Sequence, residues 1–432
     1  MPEVRPFRGV RYDIAHVGTL ADVVAPPYDV IDSSLQDRLY SASPYNIIRM
    51  ELNRPEPGDS ETENRYTRAT RFLRDWLKQG ILQAEDHPAF YVYEQTFEVE
   101  GTTYVRSGFF ARVRLEPFGS GRIYPHEQTL SGPKADRLAL YKSTGFNLSP
   151  IFGLYPDDEQ TVLKTVVAGI RDTTPLEATD HLGVVNRLWV VTDSKTQTAI
   201  QGLLADKPIF IADGHHRYET GLKYRDELAA SGELKGDDDP ANFCLMMLVG
   251  MSDPGLIILP THRLVSGFPG LTSAVLADKL SAEFDIQDVG SGESACREVW
   301  KAMEESGDQD VLGFGTVADG RWMLARLRTD EAMDRLAADH SPEWRSLGVS
   351  ILHELVLGDR LRGAGTPACR YVHLLDEVLA DVAAKGCDLA CLVPPASMAH
   401  VENIASNLET MPPKSTYFYP KLLSGLVLNP LR

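Results

Sequence analysis

Apolar residues in this chain recur in two rhythms. From Phe90 to Glu98 and from Thr103 to Leu115 they alternate with polar ones, the period of a half-buried strand. Glu100-Gly101 between the two runs supplies the turn of a β-hairpin. Over Glu61–Gly80 the spacing lengthens: Phe72, Leu73, Trp76 and Leu77 fall on one face of a helix that Gly80 stops. Further helices are predicted near Lys134–Thr144, Asp158–Arg171 and Lys195–Ala205, the last capped by Asp193. Strands are predicted near Pro150–Tyr155, Arg187–Thr192, Asn242–Gly250 and Gly255–Pro260. Residues 1–60, punctuated by Pro26-Pro27 and Pro44, read as irregular. Beyond Ser266 helices and strands alternate up to the Met411–Lys421 segment. The pattern predicts a mixed α+β protein with a mixed sheet and more than one lobe, divided as 1–265 and 266–432.

Composition narrows the class. A chain of 432 residues exceeds one compact core, so two or three domains are expected. With 43% apolar and 24% charged residues it reads as a globular protein. No apolar run approaches the roughly 18 residues of a membrane span, and the start lacks a signal-peptide apolar region, so the cytoplasm is the expected compartment. The net charge of −18 argues against a nucleic-acid surface, while a local basic pocket for a nucleotide stays compatible with it. Cys244, Cys296, Cys369, Cys387 and Cys391 are scattered, and no second close pair completes a zinc cage around Cys387 and Cys391. They read as reduced, buried thiols.

The strongest chemical signal is Asp213-Gly-His-His-Arg217, set between the β-favouring Ile209–Ile211 and a charged helix from about Arg217. Gly214 permits a sharp turn, and a strand–turn–helix aims backbone N–H groups and the positive end of a helix at one point. His215, His216 and Arg217 add donors there, so the run reads as a phosphate cradle. Asp213 would orient a histidine or hold Mg²⁺ through water. The plain alternative is a turn whose histidines bond within the fold. His126 and Glu127, followed by Lys134, Asp136 and Arg137, suit a general base beside cations that offset transferred phosphate, or a charged loop leading into a helix. Lys414-Ser415-Thr416 offers further phosphate donors, although the glycines of a P-loop are absent. Ala25-Pro-Pro-Tyr-Asp29 would present Tyr28 and Asp29 rigidly or serve as a structural turn. His353-Glu354 lacks the zinc-protease continuation and reads as plain helix, and Asp237–Asp239 as solvated loop.

Val24-Ala-Pro-Pro-Tyr-Asp-Val30, Pro125-His-Glu-Gln-Thr129, Pro133-Lys-Ala-Asp-Arg137, Asn147-Leu-Ser-Pro-Ile-Phe152, Ile211–Tyr218 and Met411–Pro420 together resemble the domain-of-unknown-function family numbered 1015, along nearly the whole chain. The Asp213–Tyr218 block also resembles the phosphate-binding turn of the ParB/sulfiredoxin superfamily, which implies a nucleotide-binding core of that kind. Sulfiredoxins carry their reactive cysteine where this chain has His215, and the DNA-binding helical domain of ParB proteins has no evident basic counterpart here. The free serine kinases of that superfamily are similar in the turn itself, since Asp213, Gly214, His215, His216 and Arg217 match residue by residue. They also use a glutamate as base, and Glu127 is the candidate here on chemical grounds. The resemblance implies a phosphotransferase moving phosphate from ATP or ADP, with Mg²⁺, to a small hydroxyl metabolite such as free L-serine. A phosphatase acting on a phosphomonoester such as phosphoserine, or a nucleotide-binding sensor without turnover, would use the same pocket.

Overall fold

The computed structural model describes residues 2–127, 129, 131–170 and 173–432. Gln128 of the Pro125–Thr129 motif and Arg171, the expected end of one helix, lie outside the described residues. Contacts divide the chain into two units that the sequence interleaves. The first comprises 1–125, 129–257 and 420–432; the second comprises 126–128 and 258–419.

The first unit is built on a mixed sheet. In spatial order its strands are Ile123–Tyr124, Ile209–Asp213, Ile151–Tyr155, Phe243–Gly250, Thr102–Arg114, Phe90–Val99, Val185–Val191 and Leu176–Thr179, with Val4–Arg5 also on Thr102–Arg114. Phe243–Gly250 runs parallel to Ile151–Tyr155, and Ile209–Asp213 parallel to Ile123–Tyr124; the other pairs are antiparallel. The predicted hairpin is present. Val99 pairs with Thr102, and Glu100 and Gly101 both take positive φ (50° and 77°), the geometry of a two-residue turn that follows strand twist. All eight residues of Phe243–Gly250 are buried, because a central strand covered on both faces needs a continuous apolar run. Helices Thr161–Ala168 and Ser194–Leu204 set Val162, Val166, Ile200 and Leu204 into the same core as Phe90, Phe109, Ile151, Ile209 and Met246. Asp193 caps the second of these by accepting from Thr196 N–H.

Two local expectations change. The Arg65–Lys78 helix buries Ala69, Leu73 and Trp76, while Leu77 is exposed: at about 100° per residue Leu77 turns out of the stripe that Ala69 completes. The stretch expected to be irregular contains the helix Ser33–Ala42, which buries only Leu35 and Leu39 and so shows little periodicity. Asp32 starts it, its carboxylate accepting from Leu35 N–H at 2.7 Å. Asp32→Ala should therefore cost about 1 kcal/mol, read as a lower urea midpoint at unchanged slope.

Residues 420–432 are laced into this unit. Ser424 and Ala25 exchange backbone hydrogen bonds, Leu428 and Val10 do the same, and Asn429–Pro430 pairs with Phe146–Asn147.

In the second unit a six-stranded antiparallel sheet runs Phe284–Ser291, Arg321–Leu327, Val311–Thr316, Leu389–Leu392, His262–Ser266 and Ala368–Val372. Helix Gly292–Ser306 buries Cys296, Val299 and Met303 against Val311, Trp322 and Leu392. His353 and Glu354 sit in the π-helical stretch Ile351–Arg360. All five cysteines are free, but Cys369 is only half-buried, since it lies on the edge strand of this sheet. No described helix is long and apolar enough to cross a membrane.

Candidate functional site

The Asp213–Arg217 turn joins the strand Ile209–Asp213 to the helix His215–Ala230. The strand buries Ile209, Phe210, Ile211 and Ala212, and the helix is tied to the sheet by Tyr218, whose hydroxyl donates to Glu116 O at 2.8 Å. Gly214 has φ 91°, and a Cβ there would stand 2.9 Å from Nε of Arg217, so both backbone angle and space require glycine. The N-cap residue is Gly214 itself, which has no side chain to accept from the first N–H groups of the helix. The helix begins at His215, two residues earlier than the charge pattern suggests.

Asp213 holds the turn together. Its Oδ2 accepts from Arg217 at 2.6 Å and its Oδ1 from Lys421 Nζ at 2.9 Å. Arg217 Nη1 also donates to Pro150 O, so this 3%-exposed guanidinium is engaged within the fold. Burial pushes the Asp213 carboxyl up, but the charges of Lys421 and Arg217 outweigh burial and hold it well below the usual carboxylate range. The sequence suggested that Asp213 orients a histidine or holds Mg²⁺; in the structure it accepts from two cations, and the charge of His215 also acts on it. His215 is buried and His216 half-buried at the helix start.

Around this turn the first unit gathers four of the sequence blocks. Arg137 is buried, donating to Asp136 and to both the side chain and the carbonyl of Glu51, with Tyr28 under its guanidinium at 4.1 Å. Ser149 donates to the same oxygen, Glu51 Oε1, at 2.8 Å. Burial drives the Glu51 carboxyl up despite Arg137, and drives the Tyr28 phenol to about 12. Arg137 therefore reads as a neutralising partner for buried carboxylates. Lys134 is placed differently: its Nζ donates to Glu219 at 2.7 Å and to Thr129 Oγ1 at 2.9 Å, and Glu219 lies on the helix that the turn begins.

The remaining candidates belong to the second unit. Glu127 forms a parallel bridge with Met411, and Met411 N–H donates to His126 O at 2.8 Å. His126 Nε2 lies 2.8 Å from Thr416 Oγ1, and Glu127 Oε1 accepts from Lys414 N–H at 3.1 Å. Ser415 Oγ donates to Pro412 O, which turns it away from a donor's role toward a ligand. Lys414 is exposed, adopts a positive φ of 59°, and gives its carbonyl to Arg263 at 2.9 Å. Thus His126 and Glu127 are joined to the Met411–Thr416 stretch in one local structure. Among the described residues no three His, Cys, Asp or Glu side chains gather as a metal site.

Lys421 was missed by sequence reasoning. It ends a motif that was singled out, yet its partner lies 208 residues away and no spacing rule connects them.

A solved structure described as a conserved hypothetical protein from Pyrococcus furiosus is similar at 13% identity, covering 69% of this chain and 87% of its own, with a TM-score of 0.32. A free serine kinase in complex with AMP is similar at 12% identity, covering 69% and 83%, with a TM-score of 0.32. SbnI with a C-terminal truncation, from Staphylococcus aureus, is similar at 12% identity, covering 74% and 87%, with a TM-score of 0.33. Superpositions this loose carry no argument for chemistry. No curated protein matches the chain. The family described as "Protein of unknown function (DUF1015)" matches residues 4–350, and to that family the chain belongs.

Proposed function

We propose that the first unit binds the phosphates of a nucleotide at the Asp213–Arg217 turn, and that the protein transfers phosphate from ATP or ADP to the hydroxyl of a small metabolite, free L-serine first among them. One observation carries this reading: two cations, Lys421 and Arg217, meet at the carboxylate of Asp213 directly before the start of the helix His215–Ala230. That places two cations beside a helix start, whose dipole also favours an anion. In this scheme the first N–H groups of the helix, His216 and Lys421 face the phosphates, while Arg217 positions Asp213 and Gly214. Phosphoryl transfer rests mainly on positioning and charge stabilisation, which such a set supplies. The donor set does not fit a resident metal, so Mg²⁺ is assigned to the nucleotide itself and no step passes through a protein-held ion. The base on the acceptor hydroxyl is proposed to be Glu127, on the chemistry of its carboxylate.

The experiment is to incubate the full chain with Mg²⁺, ATP or ADP, and L-serine, and to follow nucleotide and phosphoserine by chromatography. Phosphoserine formed in step with nucleotide loss is the expected result. Lys421→Met leaves Asp213 paired with Arg217 and should weaken nucleotide binding about tenfold or more, the scale of one charge-assisted hydrogen bond. Glu127→Gln should lower turnover by about a hundredfold and spare binding. Phosphate released from phosphoserine without nucleotide would replace this reading by a phosphatase, and nucleotide binding without product by a sensor. No nucleotide binding at all overturns it.

A further inference from the structure

Arg263 lies on the strand His262–Ser266 of the second unit's sheet, paired with Tyr371 on one neighbouring strand and Cys391 on the other. It is 1% exposed, yet among the described residues it enters no ion pair. Burial pushes the guanidinium down to about 10, which leaves it charged at neutral pH. A buried cation without a carboxylate is a poor source of stability. Its acceptors are two main-chain carbonyls instead: Nη1 donates to Thr261 O, and Nη2 to Lys414 O at 2.9 Å.

Lys414 has a φ of 59°, in the left-handed region that a lysine keeps only where its surroundings hold it. Ser415 Oγ closes the same turn by donating to Pro412 O, and Thr416 Oγ1 lies 2.8 Å from His126 Nε2. So held, Lys414 N–H donates to Glu127 Oε1 at 3.1 Å, while Glu127 Oε2 has no hydrogen-bond partner among the described residues. We infer that Arg263 is a positioning residue: through the Lys414 peptide it fixes one oxygen of Glu127 and leaves Oε2 to the acceptor hydroxyl. This role rests on the reading of Glu127 as the base. In that step Oε2 takes the hydroxyl proton as the hydroxyl oxygen bonds to the terminal phosphorus. The bridging oxygen then leaves with the nucleotide, keeping the electron pair of the broken P–O bond. Arg263 touches none of the reacting atoms.

The test is the phosphotransfer assay on the full chain, joined to hydrogen exchange read by mass spectrometry over residues 411–416. Arg263→Met should keep the fold, lower kcat about tenfold and leave the KM for nucleotide unchanged, the loss of one hydrogen bond to a charged group. Arg263→Lys retains one donor for the Lys414 carbonyl and should recover part of that turnover; it carries the same comparison where Arg263→Met does not fold. In a Glu127→Gln background Arg263→Met should change kcat by less than about twofold, because the group it positions is already gone. A tenfold loss repeated in that background overturns the role. Wild-type kcat in Arg263→Met with a slow Glu127→Gln overturns the role alone, whereas wild-type kcat in both removes the base reading with it. Exchange reads the hold without turnover: Pro412 and Pro413 carry no N–H, so faster exchange over 411–416 in Arg263→Met supports it and unchanged exchange overturns it.

Discussion

Asp213→Asn is expected to destabilise the first unit by about 3–5 kcal/mol at neutral pH, the usual cost of stripping the counter-charge from buried ions. The cost is large because Lys421 is 13% exposed and Arg217 3% exposed, so neither can recover its hydration. The folded-state pKa of Asp213 lies below the unfolded value of about 3.9, so its stabilisation is complete above that value and is lost as pH falls through the folded pKa. The gap between wild type and Asp213→Asn in urea unfolding should therefore be constant from about pH 8 to 5 and narrow below about pH 4. A gap under about 1 kcal/mol, or one that widens in acid, would show that the carboxylate does not hold the turn.

Arg137→Met should be comparably damaging, by about 3–5 kcal/mol, because Glu51 is left 1% exposed without a full counter-charge. Here the pH dependence has the opposite sign. Burial already raises the Glu51 pKa in the folded protein, and removing Arg137 takes away the charge that opposes it. A carboxyl with a raised folded pKa supports stability below its unfolded value and loses that support as pH rises, so the defect should be smallest near pH 4 and grow toward neutrality. Glu51→Gln in the Arg137→Met background should return about 1–3 kcal/mol, measured as a double-mutant cycle. A defect independent of pH would mean that Arg137 matters for packing alone.

The mixed α+β architecture was legible because its signals are local: alternation over Phe90–Glu98, a Glu-Gly turn, and an apolar run before and a charged helix after the Asp213–Arg217 turn. Leu77 was misplaced because four apolar residues in six positions admit more than one stripe, and packing of Ala69 decided between them. The Ser33–Ala42 helix escaped because two buried leucines make no recognisable period. At the site, residue types pointed to charge on phosphate, but the division of labour among cations is a matter of burial. Arg137 and Arg217 look alike in sequence to any exposed arginine, and only the carboxylates of Glu51, Asp136 and Asp213 beside them reveal that their forks are occupied. Lys421 had no local mark at all.

The return of residues 420–432 to the first unit has a consequence for synthesis on the ribosome. At about 5–20 residues per second, Asp213 and its turn emerge about 10–40 s before the 208 residues that separate them from Lys421 have been made. During that interval the first unit lacks the C-terminal backbone partners of Ala25, Val10 and Asn147, and the Asp213 carboxylate has Arg217 but not Lys421. Co-translational folding of the first unit is thus a provisional state, completed only after the whole second unit has been translated.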